Sequence, residues 1–199
     1  MVLPSDAGGR VTETVGYFDF NAMALADWLR HGLDGPWALS SPGWTAIEDA
    51  VADLAPAPTL SRYAFVPIGS WAILLNNGPL GTDVGVLPSH AARELHCRAI
   101  RVVSVGDQDE FPARLIEVYG PDGVSPLALE RSIVCARDGD RWVFETAGEP
   151  FPFEDLAAYS RPKKSSRLSP ELILGYLRAL GVPLDTEPDW RAAAVVGQS

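Results

Sequence analysis

Charged side chains stand among apolar residues in three segments that are predicted to be strands of a sheet. They are Arg101, Glu117 and Arg131. If the three strands form a meander, the two-residue period of a strand turns all three side chains to one face. Such charges must pair or reach water, because burying one alone costs several kcal/mol. We therefore expect either a structural Arg–Glu–Arg ladder at the edge of the core or a polar patch on a binding face.

A loop of turn-forming residues at positions 76–85 contains the next candidate site residues. Asn76, Asn77 and Asp83 could position a polar ligand between this loop and the sheet. The loop lacks the Lys and the glycine spacing of a phosphate-binding loop, so that class of site is excluded. A structured crossover that binds nothing is the alternative.

The histidines and cysteines form no metal-binding or catalytic motif. His90 and His96 are six residues apart, which does not place them on one helix face, and the sequence contains no Cys-x-x-Cys pair. Cys97 and Cys135 are expected to be buried thiols. A Gly-x-Ser-x-Gly nucleophile elbow is also missing from the sequence. We predict no metal and no cofactor, and the sequence favours a non-catalytic function over an enzymatic one.

The tryptophans fall into two groups. Those in periodic segments, Trp28, Trp71 and Trp142, are predicted to lie in the core. The others stand beside loops, where an exposed aromatic side chain can anchor an interface, and Trp44 is the candidate among them.

The charge balance limits the kinds of partner. The chain of 199 residues has 26 acidic and 16 basic residues and a net charge of −10. This argues against nucleic-acid binding, which needs clustered Lys and Arg, and is compatible with a basic protein partner. The chain shows no secretion signal and no apolar run that spans a bilayer, so we expect a cytoplasmic protein without membrane association. The oligomeric state is left open.

Periodicity and turn residues predict an α+β fold. Helices are expected after the caps Asn21, Ser89 and Ser169 and over residues 45–54, and a hairpin is expected around Gly69 and Ser70. Four consecutive strands follow between residues 97 and 146, the last two joined at Asp138 and Gly139. We expect one domain over residues 1–199: a twisted antiparallel sheet of about six strands with N-terminal and C-terminal helices packed on it. Residues 1–10 and 184–199 are predicted to be loose tails.

In size, charge and layout, including the stretch Trp71–Arg101, the chain resembles the α+β immunity proteins of bacterial polymorphic toxin systems. The resemblance implies an intracellular protein-binding module that inhibits a partner toxin or enzyme, and it assigns no individual residue. The alternative is a small-molecule binder or an enzyme, with a site between the Asn76–Asp83 loop and the sheet face that bears Arg101 and Glu117. A third possibility, a structural accessory subunit, would require a large exposed apolar patch.

Overall fold

The computed structural model describes residues 14–54, 61–77 and 86–198. Within these ranges the chain is α+β, with one antiparallel sheet of nine strands and five α-helices. The strands are β1 Thr14–Phe18, β2 Trp37–Ser40, β3 Arg62–Ile68, β4 Trp71–Asn76, β5 Ala99–Ser104, β6 Ala113–Val124, β7 Leu129–Asp138, β8 Arg141–Ala147 and β9 Ala194–Gln198. The helices are α1 Ala22–Gly32, α2 Ile47–Asp53, α3 Val86–Leu95, α4 Leu156–Tyr159 and α5 Pro170–Ala179. The predicted tail at residues 1–10 lies outside the described residues.

The strand order across the sheet is β2-β9-β3-β4-β1-β5-β6-β7-β8. The prediction of one antiparallel sheet is confirmed, but the number of about six strands is wrong. The additional strands are β1, β2 and β9, which are only four or five residues long. β1 is buried along its whole length and pairs with β4 and β5 in the middle of the sheet, so it lacks the alternation that identifies a half-exposed strand.

The C-terminal segment is not a loose tail. β9 pairs with β2 on one side and β3 on the other, and Ala194, Val195 and Val196 are buried. The segment before it is held by the backbone N–H of Asp189, which donates to the carbonyl of Pro67 at 2.8 Å. A short strand of small apolar residues carries little periodic signal, which explains why the sequence did not reveal it.

Helices cover both faces of the sheet and are spread along the chain. α1 and α3 pack on one face over Phe18, Phe65 and Leu74. α2 and α5 pack on the other face over Val66, Ile73 and other buried residues of the larger core. The helices are therefore not confined to the two ends of the chain, because α3 in its middle also covers the sheet.

Most of the predicted caps and turns are present. The side chain of Asn21 accepts from the backbone of Ala24, and that of Ser169 accepts from Leu172, with Pro170 as the first helical residue. Gly69 has φ +58 in the β3–β4 turn.

Two local predictions are wrong. Ser89 does not cap α3 but lies within it, where its hydroxyl donates to the carbonyl of Leu127 at 2.6 Å. The β7–β8 loop consists of Gly139 and Asp140, because Asp138 pairs with Arg141. Among the helices that the structure describes, none has the length and apolar character needed to cross a membrane.

Candidate functional site

The structure brings Arg101 and Glu117 together on the sheet face that carries α1 and α3. The two residues are direct cross-strand partners on β5 and β6, and Arg101 donates to Glu117 at 2.6 Å. Their side chains are 14% and 17% exposed, so some water still reaches the pair. Because each charge lies beside an opposite one, both side chains can lie among apolar residues without the cost of a buried unpaired charge.

Two hydroxyl groups extend this pair into a row of polar side chains across three strands. Tyr119 donates to Glu117 at 2.8 Å, and the hydroxyl of Ser132 on β7 lies 3.5 Å from the other carboxylate oxygen. We call Arg101, Glu117, Tyr119 and Ser132 the polar row. Its neighbour on β1 is Gly16, where a Cβ would come within 3.0 Å of the Phe18 ring. A larger residue at that position would therefore have to displace the packing beside Arg101.

Arg131 does not belong to this row, which corrects the predicted Arg–Glu–Arg ladder. Ser132 is the cross-strand partner of Glu117, and Arg131 pairs with Val118. Arg131 therefore points to the opposite face. The ladder between β6 and β7 shifts at Tyr119, and a shift of one residue exchanges the two faces of a strand.

On that opposite face Arg131 binds Glu154 through two parallel hydrogen bonds of 2.9 and 2.7 Å. The two side chains are only 5% and 1% exposed. The remaining donor of Arg131 reaches the carbonyls of Ala147 and Gly148 at 3.2 and 2.6 Å. Burial by itself would lower the pKa of Arg131, but the hydrogen bonds and charge of Glu154 raise it.

Glu154 has two further donors. The backbone N–H of Phe151 and the hydroxyl of Tyr159 each donate to it at 2.9 Å. Burial is the main cause that raises the pKa of Tyr159, so its hydroxyl stays a donor. Each carboxylate oxygen of Glu154 thus accepts two hydrogen bonds, so the cluster offers no acceptor to a ligand. It links β7 to α4 and has a structural role.

The predicted asparagines at the end of β4 have different roles. Asn77 is 2% exposed, and its side-chain oxygen accepts from the backbone N–H of Arg62 at 2.7 Å, which closes the end of the β3–β4 hairpin. Asn76 is 5% exposed, and its Oδ1 has no hydrogen-bond partner among the described residues. Leu74 pairs with Gly16, so Asn76 lies on the same face as the polar row, one step further along β4. Asp83 lies outside the described residues.

Trp44 is not an exposed interface anchor. It is 5% exposed and belongs to the core beneath α2. Trp190, another tryptophan beside a loop, is 7% exposed. The prediction for Trp44 failed because it belongs to the same buried cluster as Trp190 and other residues of the C-terminal segment, whose return to the sheet the sequence did not reveal.

The structure contains an acidic groove that the sequence did not reveal. It has a volume of about 650 Å³ and lies between the start of α2 and residues 184–190. Leu184, Pro188 and Trp190 form its buried floor. The exposed side chains of its rim include Glu48, Asp185 and Glu187, and no Lys or Arg lines it.

The start of α2 is fixed by a carboxylate next to the groove. Asp49 accepts from the backbone N–H and the hydroxyl of Thr45 at 2.7 and 2.8 Å, and from the backbone of Ala46 at 3.2 Å. The hydrogen bonds from Thr45 are the main reason that the pKa of Asp49 is lowered. On the other side, Arg178 lies 3.4 Å from Asp185 in an exposed ion pair, which contributes little. Glu48 and Glu187 form no ion pair with any residue in the described ranges.

A smaller groove of about 350 Å³ is lined by Asp19, His96, Cys97 and Asp122, among others. His96 has φ +50, a conformation that few non-glycine residues adopt. Burial raises the pKa of the Cys97 thiol to about 11, and the charge of Asp19 adds to the effect. The thiol is therefore protonated near neutral pH and is a poor nucleophile. Within the described ranges, no three His, Cys, Asp or Glu residues are placed to hold a metal ion.

No protein-family model matches the chain, and the comparisons with curated proteins and with solved structures give no match either.

Proposed function

We propose that this protein is a binding module of the inhibitor or immunity type, which neutralises a partner toxin or enzyme by holding a basic segment of it in the acidic groove. The observation that carries the proposal is the composition of that groove. Its rim carries Glu48, Asp185 and Glu187 without any basic residue, above the apolar floor formed by Leu184, Pro188 and Trp190.

This combination suits the side chains of Arg and Lys. Their charged ends would meet the rim carboxylates, while their methylene stems would lie on the apolar floor. A segment without apolar surface would make no use of the apolar floor. A segment without positive charge would leave the rim carboxylates without an opposite charge.

The charge of the whole molecule supports the same kind of partner. A net charge of −10 attracts a basic protein before contact, and such steering raises the association rate more than the final affinity. At physiological salt the screening length is about 8 Å, so the rim carboxylates govern the last stage of docking.

The experiment is an affinity capture of the tagged protein from the lysate of its own cells, with mass spectrometry as the readout. The charge variant is Glu48→Lys/Glu187→Lys. The control, Glu110→Lys/Glu149→Lys, makes the same change in net charge at exposed carboxylates that do not line the groove. We expect wild type and control to capture the same basic protein in stoichiometric amount at low salt, and the groove variant to lose it.

High salt should release this partner from the wild-type protein, because the contacts at the rim are exposed. A partner that the groove variant holds as well as the control does would place the interface elsewhere on the surface. Recovery of the wild-type protein without a basic partner would argue against the binding-module proposal itself.

A second function is favoured by one observation: the Oδ1 of Asn76, on the face of the polar row, lacks a hydrogen-bond partner within the described part of the chain. Burying an unpaired polar atom costs about 1–3 kcal/mol, and a donor on a small polar ligand would relieve that cost. The test is a thermal-shift screen of small polar compounds on the wild type and on Asn76→Leu. A compound that stabilises the wild type but not the variant would support a ligand site. If Asn76→Leu responds to every compound as the wild type does, this second function is wrong.

A further inference from the structure

β8 is an edge strand of the sheet that the structure describes. It pairs with β7 on one side, and it is the last strand in the order of the sheet. Its pairing with β7 runs without a bulge from Ala147 to Arg141, and its seven residues contain no proline. Edge strands of this length and regularity usually carry a device that prevents pairing with another chain.

On the outer side of β8, backbone groups at alternate residues bond to no other strand of the described sheet. In a hairpin with a two-residue loop, the residues that flank the loop exchange hydrogen bonds, here Asp138 and Arg141. The backbone of Trp142, Phe144 and Thr146 then points away from β7. Apart from the β7 ladder, no backbone group of the described residues bonds to residues 141–147.

The charges on β8 have a symmetric arrangement. Arg141 and Glu145 are exposed and lie on the same face, two positions before and two after Val143. Four residues of strand separate them by about 13 Å, too far to pair with each other. Neither forms an ion pair with another described residue.

We propose that β8 binds β8 of a second copy of this chain, antiparallel and centred on Val143. In this register Arg141 of each copy lies opposite Glu145 of the other, so both charges gain a partner. Trp142 lies opposite Phe144 of the second copy, and the two form the hydrogen-bonded pairs, since both have outward backbone groups. A second copy of the chain is the partner that this charge pattern favours, because β8 is complementary in charge to itself. The two-fold symmetry uses the edge of both copies, so the assembly stops at a dimer.

Opposite charges at mirror positions distinguish this edge from a protected one. An edge that is protected against pairing carries charges of one sign or inward-pointing charges, which repel an identical strand. The register centred on Phe144 is also compatible with the outward backbone groups, but it would place Arg141 opposite Ala147. The register centred on Val143 is the one that pairs the charges.

The dimer should be weak. A contact through one short strand is smaller than the interfaces of stable complexes, and two chains of charge −10 repel one another. We therefore expect association at protein concentrations of tens to hundreds of micromolar. The proposal does not depend on the acidic groove, which involves neither β8 nor β7.

The test is sedimentation equilibrium of the full chain with single and combined charge reversals. Arg141→Glu and Glu145→Arg each replace two attractive pairs by two repulsive ones, so the dimer should dissociate about tenfold more readily. The swapped variant Arg141→Glu/Glu145→Arg restores both pairs and should dimerise as the wild type does. An equimolar mixture of the two single variants should form a heterodimer, because all four charges again find opposite partners.

Glu187→Arg is the matched control, since it makes the same charge change as Glu145→Arg but lies at the acidic groove. It should leave the dimer unchanged, and circular dichroism should show every variant folded. A wild-type chain that stays monomeric at about 1 mM would overturn the proposal and leave the edge to a strand of another protein. The proposal would also be overturned if the single charge reversals dimerised as tightly as the wild type. It would equally fail if the two single variants did not associate when mixed.

Discussion

Glu154 and Glu117 both pair with an arginine, but they differ in how much water reaches them. The side chain of Glu154 is 1% exposed and that of Glu117 is 17% exposed. Removing one partner of a buried ion pair leaves the other charge without solvent or counterion, and the cost depends on that burial.

We predict that Glu154→Ala lowers the free energy of unfolding by about 3–5 kcal/mol, because it leaves the buried charge of Arg131 without its carboxylate and limits the hydroxyl of Tyr159 to its longer contact with Tyr176. Glu117→Ala removes the carboxylate that accepts from Arg101 and Tyr119, but water reaches this site, so the change should cost less, about 1 kcal/mol. Urea denaturation measures both, with the exposed Glu149→Ala as the control. Equal losses for the two variants would contradict the structural role assigned to the Glu154 cluster.

The sequence predicted part of this arrangement. Alternation along β5 and β6 was enough to place Arg101 beside Glu117. The position of Arg131 could not be predicted in the same way, because it depends on the shift in register at Tyr119. A shift of one residue changes the face of every following side chain while leaving the apolar pattern of the strand intact.

At the scale of the elements, β9 carries the clearest prediction. It fills the space between β2 and β3, so its loss would leave β2 without a neighbour and expose an edge of β3. A chain truncated after Ala193 should therefore lose cooperative thermal unfolding. Val195→Ala, a milder change in the same buried strand, should lower stability by about 1 kcal/mol or more.

Circular dichroism on heating checks both variants against the full chain. A truncated protein that unfolds at the same temperature as the full chain would mean that residues 194–199 are a dispensable tail, as the sequence had suggested.

Elements with local signals were predictable, and elements that depend on distant partners were not. α1 and α5 have caps and apolar stripes within their own residues, so Asn21 and Ser169 were placed correctly. Gly69 was placed correctly because the β3–β4 turn also has a local signal. β2 and β9 are short and pair with each other across about 155 residues of sequence. No local pattern encodes such a pairing.

At the scale of the whole molecule, the acidic groove shows the same limit. Its rim combines Glu48 with Asp185 and Glu187, which come together only because residues 184–198 return to the sheet. The overall charge of the chain was compatible with a basic partner, but the groove proposed to bind one could be found only from the tertiary structure. The polar row, by contrast, was predictable in part because it lies on neighbouring strands.

The most direct test of the account is photo-crosslinking from inside the groove in the cells that make the protein. A photoreactive amino acid at Thr186, which is exposed and lines the groove, should crosslink a basic partner protein. The same group at Gln108, exposed in the β5–β6 loop, should not. A single basic protein crosslinked from position 186 alone is the predicted result. Equal crosslinking from both positions, or a partner reached only from position 108, would contradict the groove as the binding site.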